Sequence, residues 1–309
     1  MSETLFKAAV VQASPVLFDQ ARSIERIADL TAQAATRGAK LILFPEAFVP
    51  GYPRGLGFGV VVGSRDESGR QLWQRYHDQA ITVPGPATAL LGEAACRAQA
   101  YLAVGVVERD GHTLYCTTLY FGPDGCLLGL HRKLKPTAAE RIIWGEGDGS
   151  TLTVIDTLYG RVGGLTCWEN YMPLARTAMY AKGVDIYLAP TADSRDCWQA
   201  TLRHIAREGG CFVLGCNQFV TRSMYPEDLR EQLCDSPEIM CRGGSAIVSP
   251  MGEVLAGPLF DDSGILYADL DLSEITRARF DFDVMGHYDR PDVFQLLVDE
   301  GPRDNRLEP

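Results

Sequence analysis

Apolar positions in this chain follow two rhythms: short continuous runs, and stripes at three-and-four spacing. Residues 5–12 and 40–44 are continuous runs suited to buried strands. Between them Ile24, Ile27, Ala28, Leu30, Ala34 and Ala35 mark one face of a helix over 21–37, which Gly38 ends. A strand–helix–strand opening implies parallel neighbouring strands. The same alternation predicts a helix over 86–100, strands at 101–108 and 113–121 joined by a turn at Asp110-Gly111, and a short strand at 126–130. Further on it predicts strands at 152–156, 161–166, 185–189 and 211–216, with helices over 173–182 and 197–208. Residues 221–241 read as irregular and polar, followed by strands at 244–249 and 264–271 and a short helix over 273–279. Strand–helix units recur in both halves without a sequence repeat, so the expected class is α/β.

Two stretches break the rhythm. Residues 49–84 are rich in glycine and aromatic residues and hold a short helix near 71–77, which reads as a lid or pocket wall. Residues 138–150, with Trp144 and several glycines, read as a structured loop; no Walker-type Lys and Ser/Thr close it, so it cradles no phosphate.

Composition narrows the functional classes. The chain has 309 residues, 46% apolar and 22% charged, with a net charge of −11. That acidity argues against nucleic acid as a partner. No apolar run approaches the length needed to span a bilayer, and the N-terminal residues show no secretory pattern, so a cytoplasmic protein is expected. The nine cysteines form no CxxC pair and lack histidines at zinc-site spacing, which leaves neither a metal site nor a disulfide framework expected, and no cofactor. One domain over 1–309 is expected, with its core at about 5–275 and a tail over 280–309 at a subunit interface.

Candidate chemistry sits where predicted strands end. In Arg161-Val-Gly-Gly-Leu-Thr-Cys167-Trp168-Glu169-Asn170-Tyr171-Met172-Pro173 a strand runs into a cysteine and then a helix start. Asn170 is expected to cap that helix, Pro173 suits its first turn, and helix-end N–H groups would favour the thiolate. On this elbow alone Cys167 reads equally as a nucleophile or as a small buried hydrophobe. Glu46, in Pro-Glu-Ala-Phe directly after an apolar strand, falls where α/β sheets gather ligand-binding residues, which favours a functional place over a solvated loop. His131-Arg132-Lys133 reads by itself as a solvated basic cluster, with His131 and Lys133 on one side of the strand and Arg132 on the other. Together Glu46, Lys133 and Cys167 supply a base, a fixed cation and a thiol, enough to attack a polarised carbon–nitrogen bond. A Cys–His dyad is the less favoured arrangement, since no histidine adjoins a motif of that kind.

Phe44-Pro-Glu46-Ala-Phe, His131-Arg-Lys133-Leu and Leu165-Thr-Cys167-Trp-Glu-Asn170 closely resemble the three catalytic segments of the carbon–nitrogen hydrolase (nitrilase) superfamily. Lys-Pro-Thr with Glu140-Arg141, Pro50-Gly-Tyr-Pro-Arg-Gly55 and His287-Tyr-Asp-Arg-Pro291 are similar as well, so the resemblance runs from the first strand to residue 299. Trp168 after the cysteine resembles the nitrilase branch rather than the amidase branches. The resemblance implies an αββα sandwich, two sheets flanked by helices, pairing into a homodimer or a larger spiral homo-oligomer. It implies Glu46 as general base, Lys133 as the cation facing developing charge, Cys167 as nucleophile and Glu140 as the carboxylate that orients Lys133. The expected substrates are a small nitrile, aromatic or arylaliphatic, and water, with Tyr52, Trp168, Glu169 and Thr191 binding the substrate. The rivals are an amidase or carbamoyl-amide hydrolase using the same residues, and a catalytically silent assembly protein.

Overall fold

The computed structural model describes residues 5–303. β1 (Leu5–Gln12), α1 (Gln20–Thr36) and β2 (Ala39–Leu43) open the chain. The side chain of Asp19 accepts from the backbone N–H of Arg22 and caps α1. The excursion that follows contains a small hairpin, β3 (Val60–Val61) and β4 (Ser64–Arg65), then α2 (Glu67–Asp78). α3 (Pro86–Ala98), β5 (Tyr101–Asp110), β6 (Thr113–Phe121) and β7 (Leu127–Arg132) complete the first half. The second half runs β8 (Val154–Thr157), β9 (Gly160–Gly164), α4 (Pro173–Ala181), β10 (Ile186–Pro190), α5 (Cys197–Gly209) and β11 (Phe212–Cys216). It closes with β12 (Phe219–Thr221), α6 (Glu227–Gln232), β13 (Ile239–Val248), β14 (Val254–Phe260), β15 (Gly264–Asp271) and α7 (Ser273–Asp281).

These strands build two mixed sheets, ordered β15-β1-β2-β5-β6-β7 and β12-β13-β11-β10-β9-β8, with β14 alongside β13. β1, β2 and β5 are parallel in the first sheet, and β9, β10 and β11 in the second. The continuous apolar runs have a simple cause: each central strand is covered on both faces. In β1, Phe6, Ala8 and Val10 pack between the sheets against Ile186, Leu188, Phe212 and Leu214. The alternate residues Ala9 and Val11 pack outward with Ile24 and Ile27 of α1 and Leu91 of α3. On the far side Tyr187, Ala189 and Val213 pack with Leu202 and Ile205 of α5. The result is an αββα sandwich.

Three expectations change. Residues 221–241 are not irregular: they hold the last residue of β12, then α6 and the start of β13, and Tyr225, Leu229 and Leu233 share a core with Phe18, Phe58, Leu72 and Tyr76. Their apolar side chains are spaced too sparsely among charges to announce a buried face, and packing against the excursion supplies the rest. β14 lies between the expected strands at 244–249 and 264–271, where no strand was read. Asn170 does not cap α4; Met172 holds that place, with Pro173 first in the helix. Among the described residues no helix is long and apolar enough to cross a membrane.

Candidate active site

Glu46 follows the end of β2, on a segment laid across β5. The N–H of Phe44 donates to the carbonyl of Ala103 and that of Phe48 to the carbonyl of Gly105. So close is the crossing that a Cβ on Gly105 would come within 2.2 Å of the Pro45 oxygen, and only glycine fits. Lys133 follows β7, its N–H donating to the Cys116 carbonyl at 2.8 Å. Cys167 follows β9 and heads a 3₁₀ turn, Cys167–Tyr171, with φ of +56°. A left-handed cysteine is strained backbone, held here by its surroundings. Asn170 Nδ2 donates to the carbonyls of Leu165 and Cys167, and its Oδ1 accepts from the Tyr187 hydroxyl. Asn170 therefore fixes the elbow from within rather than capping the helix after it.

The strand ends bring the predicted residues together. Lys133 Nζ donates to Glu46 Oε1 at 2.6 Å and to Glu140 Oε2 at 2.7 Å. Glu140 Oε1 accepts from the Tyr52 hydroxyl at 2.6 Å, and its Oε2 also accepts from the Thr137 N–H. The remaining oxygen of Glu46, Oε2, is buried without a hydrogen-bond partner. The Cys167 thiol lies within hydrogen-bonding reach of the same carboxylate, so its proton has an acceptor at hand. Thr191 donates its hydroxyl to Cys167 Sγ at 3.1 Å. The basic run is thus not a solvated cluster. His131 and Lys133 are both 1% exposed, because β7 turns that face inward, and Arg132 on the other side pairs with Glu108.

Burial sets the electrostatics. It pushes the Glu46 carboxyl above the usual carboxylate range, against the opposing pull of Lys133. Burial, then the charge of Glu46, pushes the Cys167 thiol up to about 12. Desolvation works against the Lys133 charge, but Glu46 foremost among its neighbours outweighs it and holds the ammonium well above its ordinary value. The expectation of a thiolate favoured by helix dipoles is therefore reversed. Cys167 heads only a short 3₁₀ turn, and a desolvated thiol beside a carboxylate stays protonated and requires a base.

Cys167 opens into a cavity of about 310 Å³ whose walls include Tyr52, Arg54, Trp168, Asp193 and Arg195. Trp168 Nε1 donates to Asp193 Oδ2 at 2.9 Å, and Arg195 pairs with the same carboxylate and lies 4.8 Å over the Trp168 ring. Arg54 donates to the Ala192 carbonyl and faces the Tyr52 ring. Sequence reading missed Arg54, Asp193 and Arg195. The signal for the last two was their place just past a parallel strand, β10. Glu169, expected at the substrate, is instead 1% exposed and bound to His131 and to the backbone of Leu134 and Thr166, so it does not line the cavity. Among the described residues no group of three or more His, Cys, Asp or Glu side chains is arranged to hold a metal ion.

A carbon–nitrogen hydrolase family model matches residues 7–280. An "aliphatic nitrilase" of Sinorhizobium fredii is 56% identical over 301 residues, covering 97% of each chain. A "bifunctional nitrilase/nitrile hydratase" of Lupinus angustifolius is 54% identical over 303 residues, 96% of this chain and 86% of that one. Among solved structures, a carbon–nitrogen hydrolase from Helicobacter pylori G27 aligns with a TM-score of 0.74 at 22% identity, over 95% of this chain and 98% of its own.

Proposed function

The chain belongs to the nitrilase branch of the carbon–nitrogen hydrolase family and is a nitrilase-type hydrolase; we propose that it converts an organic nitrile to the carboxylic acid and ammonia through a covalent adduct on Cys167. The observation that carries this reading is the buried Glu46–Lys133–Glu140 set beside the Cys167 thiol, with one Glu46 oxygen unpartnered. Glu46 accepts the thiol proton as Sγ bonds to the nitrile carbon, and the proton passes to the nitrile nitrogen, giving a thioimidate. Charge developing on that nitrogen faces Lys133 and the Trp168 N–H, second in the 3₁₀ turn that Cys167 heads, where N–H groups lack an intrahelical acceptor. Glu46 then removes a proton from water as its oxygen adds to the same carbon. Loss of ammonia leaves an acyl thioester, and a second water releases the acid and restores the thiol. Glu140, pinned by Tyr52 and the Thr137 N–H, keeps Lys133 aimed.

If the tetrahedral adduct expels the thiol instead of ammonia, an amide forms. The name of the Lupinus relative, which joins nitrilase to nitrile hydratase, favours this as a second product. The nitrile's side group, expected from the resemblance to be aryl or arylaliphatic, lies against the rings of Tyr52 and Trp168. Because the Sinorhizobium relative is called aliphatic, the decisive panel pairs phenylpropionitrile and its amide with short alkyl nitriles and quantifies acid, amide and ammonia separately. Acid and ammonia from nitriles are expected. Ammonia from the amide alone would overturn the reading in favour of an amidase, which Trp168 argues against. Phe280, Phe294 and Leu297 along the tail are more than two-thirds exposed (85%, 73% and 90%), and a second copy of this chain is the proposed cover. Light scattering of the purified protein, expected to give a dimer or larger, tests it.

A further inference from the structure

Two residues beyond the nucleophile lies a carboxylate the reaction does not use. Glu169 is 1% exposed, yet both of its oxygens are filled. Oε1 accepts from the Leu134 N–H at 2.5 Å, the residue after Lys133. Oε2 accepts from the Thr166 N–H at 2.8 Å, the residue before Cys167. Oε2 also meets His131 Nε2 at 3.0 Å, and the other ring nitrogen, Nδ1, faces the Thr151 carbonyl at 2.9 Å. A carbonyl oxygen only accepts, and the Glu169 oxygens already receive backbone N–H groups. An ionised Glu169 likewise only accepts, so both ring nitrogens of His131 donate, which only the imidazolium does.

We propose that the buried His131–Glu169 ion pair is a positioning device that locks the strand end carrying Lys133 to the turn carrying Cys167. The inference rests on the roles given above to Lys133 and Cys167. One carboxylate ties the backbone next to each of them, and His131 supplies the counter-charge without which a buried carboxylate is costly. The two groups reach the reacting atoms from different halves of the sandwich, so their separation is not fixed by either sheet alone. A shift of about 1 Å in such a pair costs on the order of a hundredfold in rate. The His131 pKa agrees: burial works against its charge, but Glu169 outweighs it and raises the value.

The test uses Glu169→Gln, Glu169→Asp and His131→Gln in the full chain. Expected are a fall in kcat of about a hundredfold for Glu169→Gln and tenfold for His131→Gln, KM within threefold, and slower alkylation of Cys167 by iodoacetamide, with partial rescue by Glu169→Asp. In the unmodified protein, ¹⁵N NMR of labelled histidine at pH 7.5 should show one imidazole with both nitrogens protonated. A folded Glu169→Gln or His131→Gln protein with unchanged kcat overturns the proposal, and so does a neutral His131; the NMR result decides the matter even where a variant does not fold. Activity in Cys167→Ala would instead sink the reading of the site on which the proposal rests.

Discussion

Two buried charge clusters lie side by side in this molecule, and they are built to opposite specifications. In Glu46–Lys133–Glu140 one carboxylate oxygen is left without a partner, and the thiol beside it opens into a cavity. In His131–Glu169 both ring nitrogens and both carboxylate oxygens have hydrogen-bond partners. Lys133 is two residues from His131, and Cys167 two from Glu169, so proximity in the chain does not separate the roles. Satisfaction does. A cluster that must exchange protons faces the thiol and its cavity, whereas one that must hold geometry is tied on every side by backbone and ring groups.

Substitutions ranked by effect put this contrast at risk. Cys167→Ala should cut turnover by at least about a thousandfold, while circular dichroism and assembly stay unchanged. Residual activity of a few per cent would end the nucleophile assignment. Lys133→Ala leaves Glu46 and Glu140 buried without their cation and should lower stability by about 3–5 kcal/mol in denaturant titration as well as abolishing activity. Glu46→Gln should reduce kcat by about a thousandfold and leave at most a trapped adduct visible by mass spectrometry. The pH dependence sharpens the same point. Because burial raises the Glu46 carboxyl above 4.5, iodoacetamide labelling of Cys167 should be lost as pH falls through that raised value. In Glu46→Gln, which also removes the charge that helps to raise the thiol, the labelling should instead follow the titration of the desolvated thiol itself, at higher pH than in the unmodified protein. Unchanged profiles would show that Glu46 is not the base. Tyr52→Phe, which removes one hydrogen bond to Glu140, should cost about 1 kcal/mol, or roughly fivefold in kcat. At the small end, Lys7→Ala breaks the half-exposed pair with Asp269 and should shift stability by less than about 1 kcal/mol.

Legibility followed burial and continuity. β1, α1, β5 and β6 were readable because apolar runs and stripes are long and uninterrupted there. α6 was not, since Glu227–Gln232 presents one buried leucine among charges. That Glu46, Lys133, Cys167 and Glu140 belong to one candidate site was legible because each stands in a short motif at a strand or turn end, and the structure brings them together. Glu169 stood in a motif as well, and its place was misread, because a motif does not tell which way a side chain points.

By itself, the sequence determined the alternation of strands and helices, the motifs and hence the carbon–nitrogen chemistry, since local periodicity and residue type are properties of the chain alone. Only the tertiary structure decided which charges share a cavity, that the thiol is desolvated into a high pKa, and that His131 and Glu169 hold rather than react. Those facts depend on distances of 2.5–3.0 Å between segments far apart along the chain, and on the exclusion of water around them, which no single segment encodes.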